Sequence, residues 1–334
     1  ISEIDKSKVQ GSVTLAGNEV RITPDTPALS RARGVVQFSD TGFTLSGVQA
    51  RALGGDVRLE GGMRALPAGA PPSEAAIQLR AQGVATAQGL QQTPSLGFVS
   101  QLAQNATGSA PYSLALSFRR GVPELQVNTT LQGMALDLPA PLGKTADAQQ
   151  PLRYEQMVAR ESLVPVAAGA TPPPLRDQVT LDLGSIGSAT YLRDLAGAQP
   201  RVLRGSMGVG LSAGESAPVV AEGVAANIRL GRVDVDAWER LLTQSTSAPG
   251  SAAGGAAGGA RPGATAVMGP GPAPSPAMDY LPNVVALRAA HLSAQGRTPH
   301  NLVAGGLREG NLRPANLDAP ELHGYGEFPQ PTSG

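Results

Sequence analysis

Few residues in this chain have the type and spacing to do chemistry. Gly210-Leu-Ser-Ala-Gly214 matches the G-x-S-x-G pattern of serine hydrolases. That mechanism needs the serine on a sharp turn between a strand and a helix, with a histidine to take its proton. An apolar strand precedes Ser212, but Glu215-Ser-Ala-Pro218 is a poor helix start, so a turn in a glycine-rich β-protein is the simpler reading. His291, His300 and His323 are the three histidines, and their spacing lacks the close pairs of zinc sites. Asp234 and Asp236 suggest a metal pair, yet they also fall on the outward parity of a strand, with Asp236 placed to cap a helix. Cysteine is absent, which removes disulfides, a thiolate nucleophile and cysteine-bound metal. The expectation is a chain with no catalytic residue, no metal and no cofactor, and therefore not an enzyme.

The elements that would position a site are strands. Gly34–Phe38 runs through a Ser39–Gly42 turn into Phe43–Gly47, and a Leu53–Gly55 turn leads to Asp56–Glu60. The same alternation of apolar and polar residues returns in Ala75–Ala81, Tyr112–Phe118, Glu124–Gln132, Leu152–Val158, Gln178–Leu183, Val202–Ser212, Pro218–Gly223, Ala226–Val235 and Val284–His291. Weaker strands continue to Phe328, and Thr190–Leu195 is ambiguous. Hairpins are expected at Ala16–Asn18 and Asp40–Gly42. Helices are expected at Thr93–Gln104, capped by Thr93 with Pro94 in its first turn, and at Ala237–Leu242, carrying Trp238. No set of amphipathic helices is present to cover the apolar side of so many strands.

Composition points the same way. The 334 residues hold 42 Gly and 29 Pro but only 1 Trp, 5 Tyr and 5 Phe, so turns are frequent and large core-filling side chains scarce. Basic and acidic residues balance at 26 each without a basic stripe, which excludes the electrostatic footprint of a nucleic-acid binder. Residues 1–244 read as one β segment, 245–279 as a flexible Gly/Ala/Pro-rich insert, and 280–334 as further strands. The insert is too broken by Gly and Pro to form the helix of about 20 residues that spans a bilayer. The chain opens without Met, as Ile1-Ser-Glu-Ile-Asp5, and reads as a piece of something larger.

Gly133-Met-Ala-Leu-Asp-Leu-Pro-Ala-Pro-Leu-Gly-Lys144 resembles the LP-x-PL-x-K segment of the YhdP branch of AsmA-like proteins. Phe43–Gly62, Ile228–Trp238 and Leu281–Gly296 resemble that family's repeated strands. The resemblance implies an all-β, elongated, curved antiparallel sheet forming an open groove. It also implies a periplasmic protein of Gram-negative bacteria, tethered to the inner membrane by an anchor outside this chain. Its implied partners are phospholipid, the inner and outer membranes, and membrane proteins at its ends, with no nucleic acid. The implied activity is transport of phospholipid between the two membranes. About 15 strands spaced by about 4.8 Å would give a trough roughly 70 Å long.

The residues of the apolar parity are the candidate lining: Phe43, Leu45, Val57, Leu59, Ile77, Leu79, Leu114, Leu116, Phe118, Leu125, Val127, Leu131, Val179, Leu181, Leu183, Met207, Val209, Leu211, Ile228 and Leu230. Alternation alone is equally compatible with a closed β-sandwich or solenoid core, because any half-buried sheet shows it. The rival readings are accordingly a structural β-solenoid or an adhesin-like interaction module, with a hydrolase third.

Overall fold

The computed structural model describes residues 8–21, 26–65, 76–165, 171–197, 199–212, 214–246, 279–293, 300–307, 312–319 and 322–329. Its first part is a meander of β1 (Gln10–Val20), β2 (Leu29–Ser39), β3 (Gly42–Ala52), β4 (Gly55–Met63) and β5 (Ile77–Thr86). Two short helices follow, α1 (Ala87–Gln91) and α2 (Phe98–Leu102). Then come β6 (Ala106–Arg119), β7 (Val122–Thr129), β8 (Met134–Leu136), β9 (Leu152–Val158), β10 (Arg176–Asp182), β11 (Gly187–Asp194), β12 (Arg201–Val209) and β13 (Gly223–Asp234). Helix α3 (Val235–Thr246) precedes β14 (Val284–Ser293), β15 (His300–Leu307), β16 (Leu312–Ala319) and β17 (Leu322–Pro329).

These strands form one curved, open sheet that does not close into a barrel. From β1 to β7 each strand pairs with the next; β9 pairs with β7, and the order then runs on to β17. The short β8 lies beside the start of β6. Pairing is antiparallel except at β12–β13 and β13–β14, which run parallel. A parallel neighbour needs a long return connection. Residues 210–222 and the stretch from α3 to Asn283 supply the two returns. The segment expected as a strand over Pro218–Gly223 is part of the first of these connections, and only Gly223 belongs to a strand. Most of the Gly/Ala/Pro-rich insert, 247–278, lies outside the described residues.

Bulges bend the early strands. Register shifts fall between Ser30 and Arg33, Arg33 and Val36, and Leu45 and Val48. Gly34 (φ 138) and Gly47 (φ 63) sit at these shifts, in backbone conformations that side chains disfavour. A Cβ on Gly34 would lie 3.1 Å from the Val48 Cα, so the strands meet closely there. The expected hairpin at Ala16–Asn18 is instead an irregularity inside β1, with the Ala16 N–H donating to Asn18 Oδ1 at 2.9 Å.

The helices differ from expectation for local reasons. Gly97 (φ 55) splits Thr93–Gln104 into a 3-10 turn at Pro94–Leu96 and α2. Thr93 does not cap; its hydroxyl donates to the Gly89 carbonyl, while Thr86 caps α1 by accepting from the Gly89 N–H at 2.9 Å. In α3 the capping carboxylate is Asp234, which accepts from the Ala237 N–H at 2.8 Å, rather than Asp236. The helix therefore starts two residues earlier than the sequence suggests.

Candidate functional site on the apolar face of the sheet

Cross-strand partners share a face, so register traces each face across the whole sheet. One row runs Val36, Leu45, Gly61, Leu79, Leu116, Leu125, Gln156, Val179, Tyr191, Gly205, Val224. Its neighbour runs Leu59, Ala81, Leu114, Val127, Tyr154, Leu181, Ala189, Met207, Ala226, Val285. A third, near the strand ends, joins Gly11, Phe38, Phe43, Met63, Ile77, Phe118 and Pro123. Val57 (opposite Gly83), Val209 (opposite Ile228) and Leu230 continue the same parity.

Three of the expected lining residues sit elsewhere. Leu131 (φ 51) lies past β7 and packs on a small cluster of Ala87, Ala106, Ala110 and Met134. Leu183 is in the turn after β10, its N–H donating to the Gly187 carbonyl. Leu211 folds back over Gly208, whose position in β12 faces opposite to Met207 and Val209; a Cβ there would meet Leu211 Cδ1 at 2.7 Å. Alternation stops where the strand stops, and all three residues lie past that point.

The face is unevenly filled. Val48, Ala50, Val57, Leu59 and Ala81 are buried against one another beside the bulges, with Leu15, Val20 and Leu29 packed on them. Toward the opposite strand ends the face is open: Val13 is 49%, Phe38 40% and Met63 38% exposed. Leu114, Leu116, Phe118, Leu125 and Val127 are half-buried.

The apolar face also carries charge. Asp177 and Arg193 are register partners on it, and their side chains are 0% and 12% exposed. Arg193 donates from Nε to Asp177 Oδ1 at 2.9 Å and from Nη2 to Oδ2 at 2.5 Å, a two-point clasp. Gln156 Nε2 donates to the same carboxylate at 3.0 Å, and Tyr154 donates to Gln156 Oε1 at 3.2 Å. Tyr280 covers the group. Arg193 Nη1 bonds its hydroxyl at 3.0 Å, the Tyr191 hydroxyl donates to its carbonyl at 3.2 Å, and the two rings meet edge-on with centroids 5.2 Å apart. Burial alone would lower the Arg193 pKa, but the hydrogen bonds to Asp177 and Tyr280 outweigh it and the net shift is upward. Burial raises the Tyr154 and Tyr191 hydroxyls.

The family model described as YhdP protein matches residues 1–333. This chain belongs to the YhdP family. No curated protein and no solved structure matches it.

Residues 133–144, which include the Leu138-Pro-Ala-Pro-Leu142 run, form a looped hairpin off β8. Leu136 bridges to Lys144, and Lys144 Nζ donates to the carbonyls of Leu131 at 2.9 Å and Met134 at 2.5 Å. Partial desolvation lowers the Lys144 pKa, with Asp147 opposing. Trp238 of α3 docks on this loop, its indole N–H donating to the Ala140 carbonyl at 3.2 Å. Pro141 lines a cavity of about 610 Å³ together with Ile186, Gly210, Leu230, Ala289 and Leu302.

The residues weighed for chemistry have structural partners. Ser212 accepts from Arg229 Nη1 at 2.6 Å, Glu215 Oε2 accepts from the Ser212 N–H, and residues 215–222 form no helix. The hairpin of β14 and β15 sets His291 opposite His300, a pairing that sequence spacing hides; His323 lies in β17. Among the described residues no group of three His, Cys, Asp or Glu is placed to hold a metal ion. Among them, too, no helix is long and apolar enough to cross a membrane.

Proposed function

We propose that the apolar face is the floor of a groove that carries phospholipid acyl chains, in a periplasmic protein tethered to the inner membrane through a segment outside this chain. The observation that carries this reading is one parity, apolar apart from Gln156, Asp177 and Arg193, that cross-strand pairing carries from β1 to β14 and that is left partly open along one set of strand ends. An exposed apolar strip of this length calls for an apolar partner. Each methylene taken from water contributes about 0.8 kcal/mol, so a tail laying about ten of them on the face gains roughly 8 kcal/mol before ordering costs. Headgroups stay at the open edge in water, and a chain with 26 basic and 26 acidic residues accepts zwitterionic and anionic lipids alike. Membership of an AsmA-like family supports the same reading. Nothing in it requires a catalytic residue or a cofactor. Outer-membrane delivery and membrane-protein partners at the two ends belong to the same proposal.

The filled cluster around Leu59 favours a second reading, a rigid β-solenoid spacer or interaction module. Native mass spectrometry of the gently purified chain separates the two. The groove predicts bound phospholipid that is lost in a Leu116→Asp, Val127→Asp double variant of unchanged β-content. A lipid-free wild type, or a double variant that unfolds globally, favours the spacer.

A further inference from the structure

The half-exposed row Phe38, Phe43, Met63, Ile77, Phe118 and Pro123 holds three of the chain's 5 phenylalanines and runs along one set of strand ends. Continued past β7, the same row reads Val158, Asp177, Arg193 and Val202. The aromatic strip thus ends on a buried ion pair roofed by Tyr280. The row next to it turns partly polar there, at Gln156, Val179 and Tyr191, whereas the row after that keeps apolar residues, at Leu181, Ala189 and Met207.

We infer that Tyr280 and the Asp177–Arg193 pair form a stop that turns acyl chains off the strip and toward the middle of the face. This rests on the groove reading above. A tail continuing straight would have to displace Tyr280 from Tyr191 and Arg193. It would then lie against a charged pair, which hydrocarbon cannot solvate. A tail shifting two rows toward the middle keeps the apolar floor of Leu181, Ala189 and Met207. Tyr280 is fixed for this task by its chain neighbours as well as by its ring: Asn283 clasps Val224 through both its N–H and its side-chain oxygen, pinning the segment across β13. Tyr280 acts here as a positioning residue, and its role is read in the route of the lipid.

The test is photolabelling of the full chain by a diacyl phosphatidylethanolamine with a diazirine in one acyl chain, offered in vesicles of phosphatidylethanolamine and phosphatidylglycerol. Labelled residues are mapped by mass spectrometry. Wild type is expected to label at Phe118 and Met207 and to spare Val202. In Tyr280→Ala the Val202-to-Phe118 ratio should rise roughly tenfold or more, since an edge-on ring contact and a charge-assisted hydrogen bond are both lost. Equal labelling of Val202 and Phe118 in wild type, or an unchanged ratio in the variant, overturns the stop and leaves the groove standing. No label at Phe118 or Met207 overturns the groove itself, and the stop with it. If Tyr280→Ala loses β-content, Tyr280→Phe is read instead: a smaller rise supports the stop and no rise refutes it.

Discussion

Phe38 and Leu59 lie on one face of one sheet, yet the structure gives them opposite work. Leu59 is 6% exposed inside the cluster of Val48, Ala50, Val57 and Ala81, whereas Phe38 is 40% exposed above Gly11. Truncating a well-packed leucine costs the transfer of its methyl groups and the cavity left behind, about 3 kcal/mol. Full burial of a phenylalanine contributes about 2 kcal/mol, so Phe38, little more than half buried, should lose only about 1 kcal/mol on truncation. Amide exchange of β2, β3 and β4 reads both changes locally, where a long sheet gives no single unfolding transition. Leu59→Ala should open these strands about a hundredfold more often and leave lipid labelling of Phe118 unchanged at temperatures where the fold persists. Phe38→Ala should barely alter exchange and should weaken labelling along the strip. Equal destabilisation by the two changes would mean that Phe38 is core, and the groove reading would fall.

Breaking the buried clasp should be severe: Asp177→Asn leaves Arg193 without a counter-charge and is expected to cost about 3–5 kcal/mol in the exchange of β9–β11 amides. Replacing both Asp177 and Arg193 with leucine should cost much less, because no charge is then stranded. Glu215 holds the connection before β13 through Arg229 at 2.8 Å, Arg288 at 3.6 Å and the Ser212 N–H. Its pKa is lowered, first by the backbone bond from Ser212, so its contribution is present above the ordinary glutamate value of about 4.3 and is lost as pH falls through the lower folded value. Exchange of the 210–222 amides should quicken in that acid window in wild type and be independent of pH there in Glu215→Gln. Trp238 is the chain's 1 tryptophan, so its fluorescence reports the docking of α3 on the 137–143 loop. Lys144→Met removes the donor to two carbonyls and should shift that emission toward the value for water-exposed indole, at a cost of about 1–3 kcal/mol.

The sheet was legible because its signal is local. A period of two needs only a few residues to declare itself, and one face must stay apolar along every strand. Leu152–Val158 comes out residue for residue, and Leu114, Leu116, Val127, Leu181 and Met207 fall on the face their parity assigns. The signal fails where backbone geometry replaces alternation. Gly97 and the irregularity at Ala16–Asn18 change direction without changing the apolar pattern, and Leu211 continues the parity of β12 after the strand has ended.

The polar stop was hidden for a different reason. Its members come from β9, β10, β11 and the turn before β14, up to 126 positions apart between Tyr154 and Tyr280, and only pairing brings them together. Each alone looks like noise: Asp177 at the edge of an apolar strand, Arg193 in a segment whose strand character was ambiguous. The usable signal was their parity, because both fall on the face that Val179, Leu181, Ala189 and Tyr191 mark as mainly apolar in these two strands. A charge in that position costs desolvation unless an opposite charge meets it. Two such charges of opposite sign, in strands joined by a short turn, already require each other. From that requirement β10 and β11 could have been paired in register before any coordinates were known, with Asp177 opposite Arg193.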